Sequence, residues 1–156
     1  AVLWGRRANA TLLEWQEGEG VVTVTGEHDG YTFLDDPVVH RRSLTLDKRT
    51  GCVEILDVLA CAGRHEARVS FHVAPGCDVT GADGEVRITR GNERLRIASS
   101  DGRFEVVAAS DEGMTGWVAD AYHRKSPGVS VFLIVDVDGD TEIRTSIEVE
   151  GTRGEA

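Results

Sequence analysis

The sequence predicts an all-β chain, a two-layer antiparallel β-sandwich, and two observations carry that prediction. Apolar residues recur with period two along most of the chain, and turn-forming residues interrupt the alternation at short intervals. Successive side chains of a strand point to opposite faces, so a strand with one face on a core and the other in water must alternate in this way.

Taken in order, the alternating elements are Val22-x-Val24, Leu44-x-Leu46, Val53-x-Ile55, Val69-x-Phe71-x-Val73, Val86-x-Ile88, Leu95-x-Ile97 and Phe104-x-Val106, with Ile143 and Ile147 in a last one. The segment Val129-x-Val-Phe-Leu-Ile-Val135 is apolar on both faces, as a central strand covered on both sides should be. Between them lie Gly18-Glu-Gly20, His28-Asp-Gly30, Asp35-Asp-Pro37, Lys48-Arg-Thr-Gly51, Ala82-Asp-Gly84, Arg90-Gly-Asn92, Asp101-Gly102 and Asp138-Gly139, each read as a turn. Only Leu56 to Ala67 could pass for a helix, and Gly63 in its middle weakens that reading. Seven residues, Ile55, Phe71, Val73, Ile88, Ile97, Phe104 and Phe132, are the expected core. Residues 1–150 are expected to form one antiparallel β-sandwich domain and residues 151–156 a flexible tail. The run Ala1-Val-Leu-Trp-Gly-Arg-Arg7 has its arginines after its apolar residues and no initiating Met, which suggests a processed chain or a piece of a longer one.

A net charge of -10 and a pI near 4.9 argue against general nucleic-acid binding, which needs a cationic face. Basic residues do cluster, at Arg41, Arg42, Lys48 and Arg49, at Arg87, Arg90, Arg94 and Arg96, and at His123-Arg-Lys125. Each cluster reads as a solvated strand face or as a local groove for an anion. No apolar run is long enough for a membrane helix. Cys52, Cys61 and Cys77 form no Cys-x-x-Cys and read as small core residues, with one disulfide as the alternative.

The motifs of several enzyme classes are missing. The chain has no Gly-x-Ser-x-Gly elbow, no phosphate-cradling Gly-x-x-x-x-Gly-Lys and no His-x-His pair. His28 and His40 could converge across a hairpin, a weak metal signal at that spacing. Asp35-Asp36 before Pro37 reads as a turn, as do Asp136, Asp138 and Asp140 around Gly139. His65 and His72 read as structural or solvated. Asp57, in the apolar run Val53 to Leu59, calls for an arginine partner, and Arg41 or Arg42 on the preceding strand can supply one in a structural ion pair.

Several runs together carry a resemblance: Gly26-Glu-His-Asp-Gly-Tyr31, Val39-His-Arg-Arg42, Ile55-Leu-Asp-Val-Leu59, Gly63-Arg-His65 and Phe71-His-Val-Ala-Pro75. Gly116-Trp-Val-Ala-Asp-Ala-Tyr122, Val131-Phe-Leu-Ile and Arg144-Thr-Ser-Ile147 follow in the same order. In sequence and spacing this resembles the C-terminal sandwich region of the bacterial heparinase II/III-like polysaccharide lyases, from Trp4-Gly5 to Val149. The chain departs from the family at Ala119-Asp120 and Tyr122-His123, where members commonly carry Ser-Pro and Tyr-Gly.

The resemblance implies an N-terminal helical toroid joined to a C-terminal antiparallel β-sandwich. It implies cleavage of uronate-containing polysaccharide by β-elimination: the carboxylate is neutralised, a Tyr or His takes the C5 proton, and an acid protonates the leaving oxygen. Heparan, alginate and hyaluronan all remain open as substrate. It also implies a cell-envelope or extracellular setting, against which free thiols lean reducing. The family's catalytic tyrosine, its His-Ala-Asp strand with a buried aspartate, and its His-Asn-Thr segment lie upstream of this region and do not occur here. No residue of this chain is therefore assigned to catalysis, metal or cofactor, although a divalent metal is possible in the parent enzyme. The expected partners are anionic polysaccharide, through the parent, and the toroid of the same protein. His28, Tyr31, Trp117 and Tyr122 are the candidate substrate contacts. A non-catalytic carbohydrate-binding module stacking sugars on Trp117, Tyr122 and Tyr31 is the alternative.

Overall fold

The computed structural model describes residues 7–110 and 115–151. The expected tail, apart from Gly151, lies outside the described residues, as do most of the Ala1-to-Arg7 run and the Trp4-Gly5 start of the family resemblance. The strands are β1 (Ala10–Glu17), β2 (Val21–Tyr31), β3 (Val38–Asp47), β4 (Val53–Ala60), β5 (Arg64–Val73), β6 (Asp78–Ala82) and β7 (Glu85–Arg90). They continue as β8 (Glu93–Ala98), β9 (Arg103–Ala108), β10 (Trp117–Ala121), β11 (Arg124–Pro127), β12 (Val129–Asp138) and β13 (Thr141–Val149). No helix occurs among the described residues, and the Leu56-to-Ala67 segment forms β4, a corner and the start of β5. Contacts divide the chain into two compact units, Ala1–His65 with Asp136–Thr145, and Glu66–Val135 with Ser146–Ala156.

In the first unit β1, β2, β3 and β4 follow one another as an antiparallel meander, with β13 beside β4. β1 is the edge strand, exposed along its whole length, and its pairing with β2 skips a residue at Leu13. It lacks the alternation that marks the other strands, because neither of its faces is buried.

The expected turn at His28-Asp29-Gly30 is instead part of β2, which runs on to Tyr31 through a register shift against β3. The Asp29 carboxylate holds this end in place by accepting from the Asn9 backbone N–H at 2.7 Å and the Asn9 side-chain amide at 2.9 Å. Reversal is left to residues 32–37.

The second unit is where two layers pack. β6 pairs with β7, β7 with β8, and β8 with residues 146–149 of β13, while β12 lies between β5 and β9. Val73 of β5, Val86 of β7 and Val131 of β12 form a buried cluster with Phe71, Cys77, Val79, Ile88, Phe104 and Val129 around it. Both sheets thus contribute to one core. Ile55, Val73 and Ile97 are buried as expected, but Phe71, Ile88, Phe104 and Phe132 are only half-buried. Full enclosure goes to the aliphatic run of β12, where Val131 and Leu133 expose nothing. Close packing extends to backbone: Gly102, at φ +96°, turns the chain between β8 and β9 directly against the Ile134 carbonyl. None of the three cysteines is in a disulfide, and all are half-buried, Cys77 packing against the Val73–Val86–Val131 cluster.

Candidate functional site

The pairing of β2 with β3 sets His28 opposite His40 and Gly26 opposite Arg42, and that of β3 with β4 sets Arg42 opposite Asp57. One face of three neighbouring strands therefore collects His28, His40, Arg42 and Asp57. Asp57 is the buried member, 1% exposed, between the buried Ile55 and Leu59. A carboxylate there needs partners, and it has two. Arg42 grips it with both Nε at 2.6 Å and Nη2 at 2.9 Å. His40 Nε2 lies 2.5 Å from Oδ1. Burial pushes the Asp57 carboxyl upward, yet the hydrogen bonds from His40 and Arg42 and the charge of the Arg42 guanidinium outweigh it and hold it below its ordinary value.

The sequence left the partner open between two arginines, and the register decides it. Arg41 does not join Asp57: its side chain leaves the opposite face and pairs with Glu27, its neighbour on β2, at 2.8 Å.

His28 extends this pair into a directed chain. The Gly30 backbone N–H donates to His28 Nδ1 at 3.1 Å, so a neutral His28 carries its proton on Nε2. Nε2 then donates to His40 Nδ1 at 2.9 Å, and His40 Nε2–H donates to Asp57. Each ring nitrogen of both histidines has a partner inside the protein. A shallow cavity of about 450 Å³ lies over this face, lined also by Leu12, Val24 and Leu44. The Tyr31 ring meets His28 edge-on at 5.2 Å and is half exposed.

Protonating His28 would put a proton on Nδ1 and oppose the Gly30 N–H. Burial first, then electrostatic interaction with His40 and the Arg42 guanidinium, lowers its pKa from the ordinary 6.5, against a smaller opposing pull from Asp29. A basic group with a depressed folded pKa binds its proton more readily when unfolded. Its contribution to stability is therefore present above about pH 6.5 and is lost as pH falls toward the lower folded value. The stability advantage of the native chain over His28→Phe should shrink between about pH 8 and about pH 5 in urea titrations. An advantage that grows on acidification would contradict the depressed pKa.

The other two candidate contacts lie in the second unit, on the β10–β11 hairpin. Lys125 Nζ stands 3.7 Å from the Trp117 ring centroid and occupies one indole face, while the indole N–H donates to the Ser110 carbonyl at 3.2 Å. Tyr122 is 91% exposed, edge-on to His123 at 4.1 Å. The departure from the family pattern falls here, where His123 takes a φ of 60° and the hairpin register shifts between Val118 and Ala121.

The family model described as heparinase II/III-like, C-terminal, matches residues 1–147. The chain belongs to the heparinase II/III-like family. Solved structures agree on the fold. Heparan sulfate lyase HepC from Pedobacter heparinus superposes with a TM-score of 0.76 at 13% identity, over 94% of this chain and 22% of that one. A heparinase III gene product with methylated lysines gives 0.70 at 16% identity, over 94% and 22%. Another heparinase III structure gives 0.68 at 15%, over 90% and 21%. The heparinase-like chain thus spans about a fifth of the length of these lyases. No curated protein matches it.

Sequence reasoning found the pieces of the His28–His40–Asp57–Arg42 chain but not their union through His40, which depends on a register that one sequence does not display. It also missed a second gathering of donors. Asp36, read as a turn, Cys61, read as core, and His65, read as structural or solvated, converge so that their ligand atoms all lie within 4.8 Å. Their spacing of 25 and 4 residues has no local motif.

Proposed function

We propose that this chain is the non-catalytic C-terminal sandwich of a longer polysaccharide lyase that cleaves uronate-containing polysaccharide by β-elimination. In this reading it buttresses the helical toroid of the same protein and forms part of the wall of the substrate cleft. The observation that carries the reading is the closed hydrogen bonding of the His28–His40 pair. A base that removes the C5 proton must turn a lone pair to the substrate, and His28 Nδ1 is instead occupied by Gly30 N–H. The cations nearby are engaged as well, Arg42 by Asp57 and Arg41 by Glu27, so neither is placed to neutralise a substrate carboxylate. Acid, base and carboxylate clamp would then come from upstream, with the parent in the cell envelope or outside the cell, where such polysaccharides are met.

The isolated chain should produce no ultraviolet absorbance of unsaturated uronate from heparan sulfate, hyaluronan or alginate, whereas the parent enzyme should do so on at least one. Turnover by the chain alone would overturn the division of labour. In the parent, His28→Gln should retain turnover. A fall of about 10²–10⁴-fold, the loss expected on removing a general acid or base, would move His28 into the catalytic set.

The exposed Tyr122 ring favours a second reading, a sugar-binding module. Retention of the chain on immobilised uronate polysaccharide, lost in Tyr122→Ala, would support it.

A further inference from the structure

From the convergence of Asp36, Cys61 and His65, we infer a zinc site at the corner where the β2–β3 loop meets β4, β5 and the β12–β13 turn. The Asp36 carboxylate is fixed there already. Its Oδ2 accepts from the Gly63 N–H at 2.7 Å and lies 2.7 Å from His65 Nε2. Cys61 follows the end of β4, with its Sγ 3.2 Å from the Gly139 carbonyl and its backbone N–H on Asp140 Oδ1 at 3.1 Å. Gly139 in turn donates its N–H to the Gly63 carbonyl at 2.9 Å. The three donors are thus mounted on a hydrogen-bonded frame of three chain segments, and their half-buried setting limits competition from water.

The donor chemistry selects the metal. A thiolate, an imidazole and a carboxylate suit zinc, whereas the soft sulfur disfavours calcium and magnesium. Bonds of about 2.0–2.3 Å place tetrahedral ligand atoms roughly 3.3–3.8 Å apart. The atoms here are already within 4.8 Å, so side-chain adjustment of about 1 Å closes the site. Water or the Gly139 carbonyl completes the fourth position.

Binding balances in charge and protons. The Cys61 thiol gives up its proton to solvent and His65 moves its proton from Nε2 to Nδ1. The dication then replaces the hydrogen bond between Asp36 and His65 and meets one thiolate and one carboxylate, giving a neutral site. The surroundings favour that exchange. Asp36, Asp138 and Asp140 border the corner with carboxylates, a negative field that a cation relieves. Arg64, 3.0 Å from Asp138, is the cation that faces this field among the described ion pairs.

The test is a zinc titration of the whole 156-residue chain against a chromophoric chelator, with cobalt(II) as spectroscopic probe. One zinc per chain is expected, together with a tetrahedral cobalt spectrum carrying a thiolate-to-cobalt charge-transfer band. Cys61→Ser, nearly isosteric and so expected to fold, should abolish that band. It should also weaken zinc beyond the about 10–100-fold typical of losing a supporting contact. His65→Ala should weaken zinc as well, whereas Cys52→Ser and Cys77→Ser should leave binding and spectrum unchanged. A folded native chain that takes up no stoichiometric zinc overturns the site, as does a cobalt complex without the thiolate band or one insensitive to Cys61→Ser.

Discussion

Replacing Arg42 by alanine should cost about 3–5 kcal/mol of stability, read as a lower denaturant midpoint at nearly constant slope. The reason lies in which partner is buried. From the sequence alone, removing the aspartate of such a pair would be expected to strand a buried cation. The structure reverses the roles: Asp57 is 1% exposed, whereas the Arg42 side chain is 38% exposed. Without Asp57 the guanidinium can turn to water. Without Arg42 the carboxylate stays enclosed, with His40 as its remaining charged or donor side chain among the contacts described. Arg42→Ala should therefore be the more damaging of the two, and Asp57→Asn the milder because the amide keeps an acceptor for His40. Equal losses, or a larger loss for Asp57→Asn, would mean that the cation and not the anion is the group stranded.

Gly102→Ala should be of comparable severity, about 3 kcal/mol or more, by a different route. A non-glycine residue in a sparsely allowed backbone region costs of order 1–3 kcal/mol by itself. At Gly102 the added Cβ would also sit 2.2 Å from the Ile134 carbonyl oxygen and 2.9 Å from a Val135 methyl. The carbonyl belongs to the central strand of its sheet and cannot move without disturbing that strand's pairing with β9. Gly91→Ala supplies the contrast: its φ is also positive, +61°, but its Cβ would meet nothing within 4 Å. The difference between the two variants isolates the steric part, and thermal unfolding of both would measure it. Equal losses would leave the contact at Ile134 with no energetic role.

How far the sequence foretells these features follows from the range of the interaction. The strands with one buried face, such as β4 with Ile55, Asp57 and Leu59 inward, are legible because alternation is local. β1 escapes notice because an edge strand exposed on both faces has no alternation to read. The end of β2 is misread because His28-Asp29-Gly30 has turn chemistry, while the interaction that keeps it extended comes from Asn9, twenty residues away. The Asp57 partnership is half legible: a buried aspartate asks for an arginine, but choosing Arg42 over Arg41 needs the register. Asp36, Cys61 and His65 are the least legible, since three corners must meet before their side chains have anything in common.

The edge position of β1 has a consequence for how the chain behaves among its own copies. Leu12, Leu13 and Trp15 are 64%, 46% and 60% exposed on a strand that, among the described residues, has a neighbour on only one side. Unpaired backbone groups beside exposed apolar side chains form a template on which another strand can grow, the route to edge-to-edge aggregation. The irregularity at Leu13 interrupts that template midway, because a bulge spoils the even spacing an incoming strand must match. Glu14 adds a charge that an identical strand would have to approach, whereas Glu17 is paired with Lys48. Handled by itself at high concentration, the chain would resist this route through one misplaced residue and the Glu14 carboxylate, with its net charge of -10 as the long-range reserve.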